Sequence, residues 1–312
     1  MVRISIARGH GNILPVIADY YELTQPRIIP LLLVVTAASI WIASNGKVNP
    51  MLLLWTLTGS TLASASAQTL NCIYDRDIDY LMERTRHRPI PSGKVQERNA
   101  LIFGIILAAA SFYLLAAFVN MLSALLAMLG IVFYVVIYTH FLKRHTPLNI
   151  VIGGAAGGIP ALVGWAAVTG TVSSTAWWIF LILFLWTPPH FWALALTLRD
   201  DYAKVGIPML PAVSGNIETG RQIFTYTVLL ILSTFLMYDP LEMTGAFYIC
   251  AAFILGAIFL QKAWAVLENP NNQKRAHNLF TYSIYYMILL CLSMVIDSLA
   301  ITHQIINLIS NG

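Results

Sequence analysis

Residues 100–118 read ALIFGIILAAASFYLLAAF, and residues 121–141 read MLSALLAMLGIVFYVVIYTHF. Each run has the roughly 20 apolar residues that an α-helix needs to cross the hydrocarbon core of a bilayer. Only Val119 and Asn120 separate the runs, and neither run alternates between polar and apolar residues as a membrane β-strand does. The stretch therefore predicts two membrane-spanning helices joined by a tight turn.

The composition of the whole chain excludes a soluble globular enzyme. Of its 312 residues, 58% are hydrophobic and only 10% are charged, against about a quarter in soluble domains. An aromatic content of 12% and a mean hydropathy of +0.72 exclude a disordered chain. We therefore predict an all-α polytopic membrane protein with nine transmembrane helices in one bundle. The predicted spans are 28–44, 51–70, 100–118, 121–141, 148–168, 176–196, 222–238, 243–264 and 280–301.

The basic residues predict the orientation of this bundle. With a cytoplasmic amino terminus, Lys and Arg fall on the cytoplasmic side, and Lys47 is the exception. The positive-inside rule then predicts an N-in, C-out topology in a bacterial inner membrane. The chain divides into a cytoplasmic segment 1–27, a nine-helix domain 28–301 and a tail 302–312. The net charge of +4 is explained by the basic loops and requires no nucleic acid partner.

Two long cytoplasmic loops, 71–99 and 197–221, are rich in aspartate. In the first, Asn71, Asp75 and Asp79 are four residues apart, so a helix would place them on one face. Their oxygens suit Mg²⁺, which prefers one or two carboxylates together with substrate phosphates. The alternative is a solvated helix end that nearby arginines neutralise: Arg76, Arg84 and Arg86.

The second loop carries another acidic cluster on the same predicted side of the membrane. Asp200 and Asp201 precede Lys204 at a spacing that places carboxylate and ammonium groups on one helical face. Two such clusters with basic residues around them form a receptor for a diphosphate. An apolar cavity beside the clusters would hold an isoprenoid tail and shield an allylic cation from water.

These motifs resemble those of the UbiA superfamily of intramembrane prenyltransferases. The resemblance rests on four stretches, which together run from residue 19 to residue 211. They are DYYELTQPRIIPLLLV (19–34), NCIYDRDIDYLMERTRHRPIPSGKV (71–95), YTHFLKRHTPLNIVIGGAAGGIPALVGW (138–165) and LWTPPHFWALALTLRDDYAKVGIPMLP (185–211). One departure is Gln25, where relatives commonly have Lys, and Arg27 is left as the nearby cation.

The resemblance is closest to the members of the superfamily that modify haem. It implies transfer of the farnesyl group of farnesyl diphosphate to a vinyl group of haem B within the lipid bilayer, with addition of water. It also implies that haem A synthase or terminal oxidase assembly receives the product. By this resemblance Mg²⁺ is bound by Asn71, Asp75, Asp79 and Asp201, with Asp200 as an alternative in the second site.

Phosphate contacts are expected from Arg88 and Lys204. Weaker candidates are Arg84, Lys143 and Arg144, and the last two could instead be simple positive-inside anchors.

His190 is the leading candidate for contact with haem because it follows Pro188 and Pro189 inside an apolar span, where a polar ring is costly. Its alternative role is that of a hydrogen-bonded interior residue. His140, His145 and His87 are further candidates, for which an interfacial or phosphate contact is equally compatible with the sequence. Two other functions remain open from sequence: another aromatic prenyltransferase, and a transporter or oxidase assembly factor.

The charge asymmetry predicts the sidedness of two loop positions. A reporter fused at Ser92 should stay in the cytoplasm, and one fused at Gly170 should be exported, because basic connections are retained inside. Paired alkaline phosphatase and fluorescent protein fusions measure this. Reversed labelling would overturn the topology and the meeting of the two acidic loops.

Overall fold

The computed structural model describes residues 13–237 and 245–299, and every regular element within them is a helix. The α-helices are α1 (Ile13–Leu23), α2 (Ile29–Ala43), α3 (Pro50–Tyr74), α4 (Arg76–Leu81), α5 (Glu97–Phe118), α6 (Met121–Val132), α7 (Asn149–Gly153), α8 (Ala155–Thr169), α9 (Ser174–Thr197), α10 (Arg199–Lys204), α11 (Leu210–Val213), α12 (Gly215–Leu236), α13 (Ala246–Glu268) and α14 (Gln273–Asp297). A π-helix, Phe133–Leu142, continues from α6.

Side-chain caps begin several of these helices. Asn49 accepts hydrogen bonds from the Met51 and Leu52 amides at 2.9 and 3.3 Å, and Pro50 follows it as the first helical residue. Asn120 caps α6 through the Ser123 amide at 2.8 Å. Each cap satisfies amides that have no partner within the helix. The cap at Asn120 explains how two residues suffice to connect α5 to α6.

The chain is a multi-pass membrane protein. Six described helical segments are long and apolar enough to cross a bilayer: 97–118, 121–142, 149–169, 174–197, 246–268 and 273–297. Large apolar side chains such as Ile106, Tyr113 and Phe253 are exposed on the outer helix faces, where lipid would cover them. The other three predicted spans coincide with α2, α3 and α12, and nine crossings stay a prediction.

The helices differ from the predicted spans mainly at their ends. Helices α12 and α14 each begin seven residues before the apolar runs that predicted them, at Gly215 and Gln273. The loop 71–99 contains α4, the loop 197–221 contains α10 and α11, and the segment 1–27 contains α1. Hydropathy marks the apolar part of a helix, whereas the helix continues through polar residues outside the membrane. The tail 302–312 lies outside the described residues.

The π-helix was not predicted, since residues 121–141 read as one uniform span. Its wider turns are visible where the Lys143 amide donates to the Tyr138 carbonyl, five residues earlier, at 2.8 Å. The Thr139 hydroxyl likewise donates to the Tyr134 carbonyl at 2.8 Å. Such segments are rare and concentrate at functional sites. Here the segment leads directly into Lys143.

Helix α9 is central to the bundle and packs against α8, α12 and α14. Close packing on α8 requires glycine: a Cβ at Gly158 would lie 2.5 Å from the Phe180 ring of α9. At the end of α7, a Cβ at Gly153 would lie 2.3 Å from the Tyr138 ring. Gly153 and Gly158 therefore act in helix packing. Helix α9 stays continuous through Pro188 and Pro189.

Candidate active site

The first acidic cluster lies where α3 ends and α4 begins. Asn71, Asp75 and Asp79 are only 5%, 2% and 4% exposed. The Asn71 side-chain amide donates to Asp75 Oδ2 at 2.9 Å and to the Thr139 hydroxyl at 3.1 Å. The alternative of a solvated helix end is therefore wrong, because both carboxylates are buried.

Two cations pair with these carboxylates. Lys143 Nζ contacts Asp75 Oδ2, and Arg88 Nη1 lies 2.7 Å from Asp79 Oδ2. Burial is the largest single influence and lowers the pKa of Lys143, but the charge and hydrogen bond of Asp75, together with smaller contributions, raise the pKa above its ordinary value. Burial raises the pKa of Asp79 despite the neighbouring Arg88. Each carboxylate thus has its own buried counter-charge.

The three arginines that the alternative assigned to neutralise this cluster form no ion pair with it in the described part of the chain. Arg76 pairs with Glu97 at 2.7 Å, Arg86 pairs with Glu83, and Arg84 is exposed. Lys143 is largely buried and bonded to Asp75, so it is more than a positive-inside anchor.

Arg144 holds Asp77 on the outer side of the cluster. Two guanidinium nitrogens of Arg144 reach the two Asp77 oxygens at 2.7 Å each, and one also donates to the Tyr74 carbonyl. This contact lowers the pKa of Asp77 to about 2. The pair ties the end of α3 to the segment that follows the π-helix.

Among the described residues, no hydrogen bond or ion pair joins the second acidic cluster, on α10, to the first. Asp200 is exposed, and Asp201 Oδ1 lies 3.8 Å from Lys204 Nζ, whose side chain is 75% exposed. Within residues 13–237 and 245–299, no group of three or more His, Cys, Asp or Glu side chains is placed to hold a metal ion.

An apolar cavity of about 250 Å³ begins beside the first cluster. Gln68 lines it one turn before Asn71, and Tyr134 donates to Gln68 Oε1 at 3.3 Å. Ser60, eight residues earlier on α3, lines its far part. At 1.5 Å per residue, the cavity follows α3 for about 12 Å. Gln68 and Thr139 were missed from sequence, although a polar residue inside an apolar span is the signal that marks both.

His190 forms part of the cavity wall. Its ring is stacked between Trp186 and Phe280, with centroids 4.2 and 4.7 Å away. Its Nδ1 lies 2.6 Å from the Ser283 hydroxyl on α14. The ring is buried and hydrogen-bonded, as expected of an interior packing residue. It also lines the cavity, which an interior packing residue need not do.

The remaining candidates lie outside this cavity. His140 is exposed and packs edge-on against Tyr74 at 5.4 Å, because it lies on the outer face of the π-helix. His145, His87 and Arg27 are also exposed. Arg27 is nevertheless next to Ile28, which lines the cavity.

The buried pair predicts an unequal cost for two aspartate substitutions. Asp75→Asn leaves Lys143 buried without its carboxylate, which should cost about 3–5 kcal/mol of stability. Asp77→Asn breaks a pair whose side chains are 60% and 35% exposed, and exposed pairs contribute about 1 kcal/mol or less. Thermal unfolding in detergent measures both.

The double variant Asp75→Asn with Lys143→Met tests the cause. It should recover most of the lost stability because no uncompensated charge remains buried. Equal midpoints for Asp75→Asn and Asp77→Asn would contradict the pairing.

Comparisons with known proteins find relatives along the whole length of the chain. The chain is 63% identical to the protoheme IX farnesyltransferase of Trichormus variabilis, covering 100% of this chain and 98% of that one. It is 62% identical to the protoheme IX farnesyltransferase of a Nostoc species, covering 98% and 97%.

Solved structures share the fold at low identity. A digeranylgeranylglyceryl phosphate synthase has a TM-score of 0.74 and 21% identity, covering 90% of this chain and 98% of that one. A UbiA homolog from Archaeoglobus fulgidus bound to GPP and Mg²⁺ has a TM-score of 0.64 and 15% identity, covering 88% and 99%. The profile of the UbiA prenyltransferase family matches residues 32–285, and the chain belongs to this family.

Proposed function

We propose that this protein transfers the farnesyl group of farnesyl diphosphate to a vinyl group of haem B, with addition of water, and releases diphosphate. The full-length relatives named protoheme IX farnesyltransferase support this activity. The observation that carries it is the junction of a buried, charged cluster at Asp75 and Asp79 with an apolar cavity. One end of that junction suits a diphosphate, and the other suits an isoprenoid chain.

The cations of the cluster bind the diphosphate in this proposal. Arg88 and Lys143 are already held in place by Asp79 and Asp75, so little side-chain entropy is lost when phosphate oxygens approach. Lys204 is exposed on α10 and adds a third cation from the opposite loop. Arg84, which is exposed on the first loop, is the weaker candidate.

Mg²⁺ is the proposed cofactor. The Asp75 Oδ1 atom is buried and has no hydrogen-bond partner in the described part of the chain, so it fits a ligand for a cation. Asn71, Asp75 and Asp79 would hold the ion on the first loop, and Asp201, with Asp200 beside it, on the second. When bound, Mg²⁺ neutralises the charge of the departing diphosphate. The bound GPP and Mg²⁺ of the Archaeoglobus fulgidus homolog support this assignment.

In this proposal the cavity binds the farnesyl chain, and the porphyrin binds at the mouth of the cavity, the opening beside Ile28 and Phe191. Its volume of about 250 Å³ is at or below the lower limit of pockets that enclose drug-sized ligands. Ile28 and Phe191 line the cavity and are also 44% and 41% exposed, so the cavity opens beside them. Arg27, next to Ile28, is in position to pair with a haem propionate.

The enzyme works, on this proposal, in a bacterial inner membrane with both acidic loops in the cytoplasm. Haem O then passes to haem A synthase or to terminal oxidase assembly. The experiment that tests the activity is overexpression followed by extraction of pigments and mass analysis of the haem. Haem that carries a farnesyl group and one added water is the expected product. A prenylated quinone precursor with unmodified haem would show a different acceptor.

The proposed mouth predicts a selective defect for Arg27→Gln. The KM for haem B should rise several-fold while the KM for farnesyl diphosphate stays near that of the wild type, because only one substrate carries propionates. Steady-state assays of the purified enzyme in detergent separate the two constants. Arg221→Gln is the matched control, since Arg221 is exposed on α12 and pairs with Glu218. An equal rise in both constants would remove Arg27 from the haem site.

A further inference from the structure

The hydrogen bonds around His190 determine which ring nitrogen carries the proton. The Ser283 hydroxyl donates to the Phe280 carbonyl at 2.6 Å, and a hydroxyl has a single proton to donate. The contact of 2.6 Å between Ser283 Oγ and His190 Nδ1 is therefore donated by Nδ1. No Asp or Glu is among the described residues that line the cavity, so the buried ring is neutral. Its Nε2 is then an unprotonated acceptor.

The packing around the same ring leaves one of its nitrogens for a group bound in the cavity. Trp186 and Phe280 stack on His190 with interplanar angles of 18° and 27°. Phe191 packs edge-on against the same ring, with centroids 5.1 Å apart. Nδ1 is bonded to Ser283 on α14. His190 lines the cavity, and Nε2 is the ring nitrogen that has no hydrogen-bond partner among the described residues.

The position along α9 places this acceptor near the proposed mouth. Phe191, the next residue, lines the cavity and is also exposed. A vinyl group of a porphyrin held at the mouth would meet the farnesyl chain at this level of the cavity. A basic nitrogen at this level is suited to accept a proton in the second half of the reaction, in which water is added.

We propose that Nε2 of His190 accepts a proton from the water that adds to the vinyl carbon. The inference rests on the proposed function. The bond between farnesyl C1 and diphosphate oxygen breaks, and the diphosphate leaves with the electron pair. The vinyl π electrons form the new bond to C1, which leaves a cation on the carbon next to the macrocycle. The water oxygen donates a lone pair to that carbon, one water proton passes to Nε2, and the imidazolium returns it to the leaving diphosphate.

The carbocation next to the macrocycle can also react without water, and this makes the role of His190 measurable. Without captured water, the cation loses a proton from a neighbouring carbon and gives an alkene that is lighter by one water. His190→Phe keeps an aromatic ring between Trp186 and Phe280 and removes Nε2. The ratio of alkene to alcohol among farnesylated haems should rise by about tenfold or more, as expected for loss of a general base. Mass spectrometry of extracted haem measures this ratio.

Two further variants complete the test. Ser283→Ala removes the acceptor that fixes the Nδ1 proton, so it should raise the ratio by less than His190→Phe does. His277→Phe is the matched control, because His277 is exposed and does not line the cavity; its product should remain the alcohol.

The possible failures are distinguishable. An unchanged ratio in His190→Phe would overturn the role of His190 as a base. Loss of both products with normal binding of farnesyl diphosphate would also overturn it, and would assign His190 to holding the acceptor. Absence of farnesylated haem from the wild type would instead overturn the proposed function.

Discussion

The buried contact between Asp75 and Lys143 is the interaction on which the arrangement of the site depends. These residues are 68 positions apart and belong to the end of α3 and the end of the π-helix. A buried charge without its partner costs several kcal/mol, so the two helix ends must meet whenever the protein is folded. Asn71 strengthens this junction by donating to both Asp75 and Thr139. The charged end of the site is consequently assembled before any ligand arrives.

The cavity places a second constraint on the chemistry. An allylic cation must be kept from water, and the apolar walls along α3, α6 and α8 provide that protection. The product nevertheless contains one added water, so water must reach the second cation at one place. A neutral histidine with an acceptor nitrogen on an otherwise mostly apolar wall meets both requirements. Its stacking with Trp186 and Phe280 holds the ring in the cavity wall.

The sequence predicted the helical membrane architecture and the first acidic cluster because both depend on local patterns. Apolar runs mark helices, and the spacing of Asn71, Asp75 and Asp79 marks a helix face. The partners of these residues could not be predicted, since they depend on the rotation of one helix against another. The π-helix is an example: residues 133–142 read as part of one apolar run, but in the wider turns Thr139 and Lys143 contact the cluster.

The hydrogen-bonding state of the buried polar groups indicates which of them bind a ligand. In a bilayer, a polar atom without a partner is costly, and most interior groups here are bonded, as Tyr134 is to Gln68 and Trp186 is to the Ser283 carbonyl. Among the buried side-chain atoms without a partner in residues 13–237 and 245–299, Asp75 Oδ1 is the one that belongs to a carboxylate. Retaining that atom lowers stability unless a ligand binds it. The unpartnered oxygen therefore strengthens cation binding. A cation that binds Asp75 Oδ1 removes the free-energy cost of leaving this buried atom without a partner.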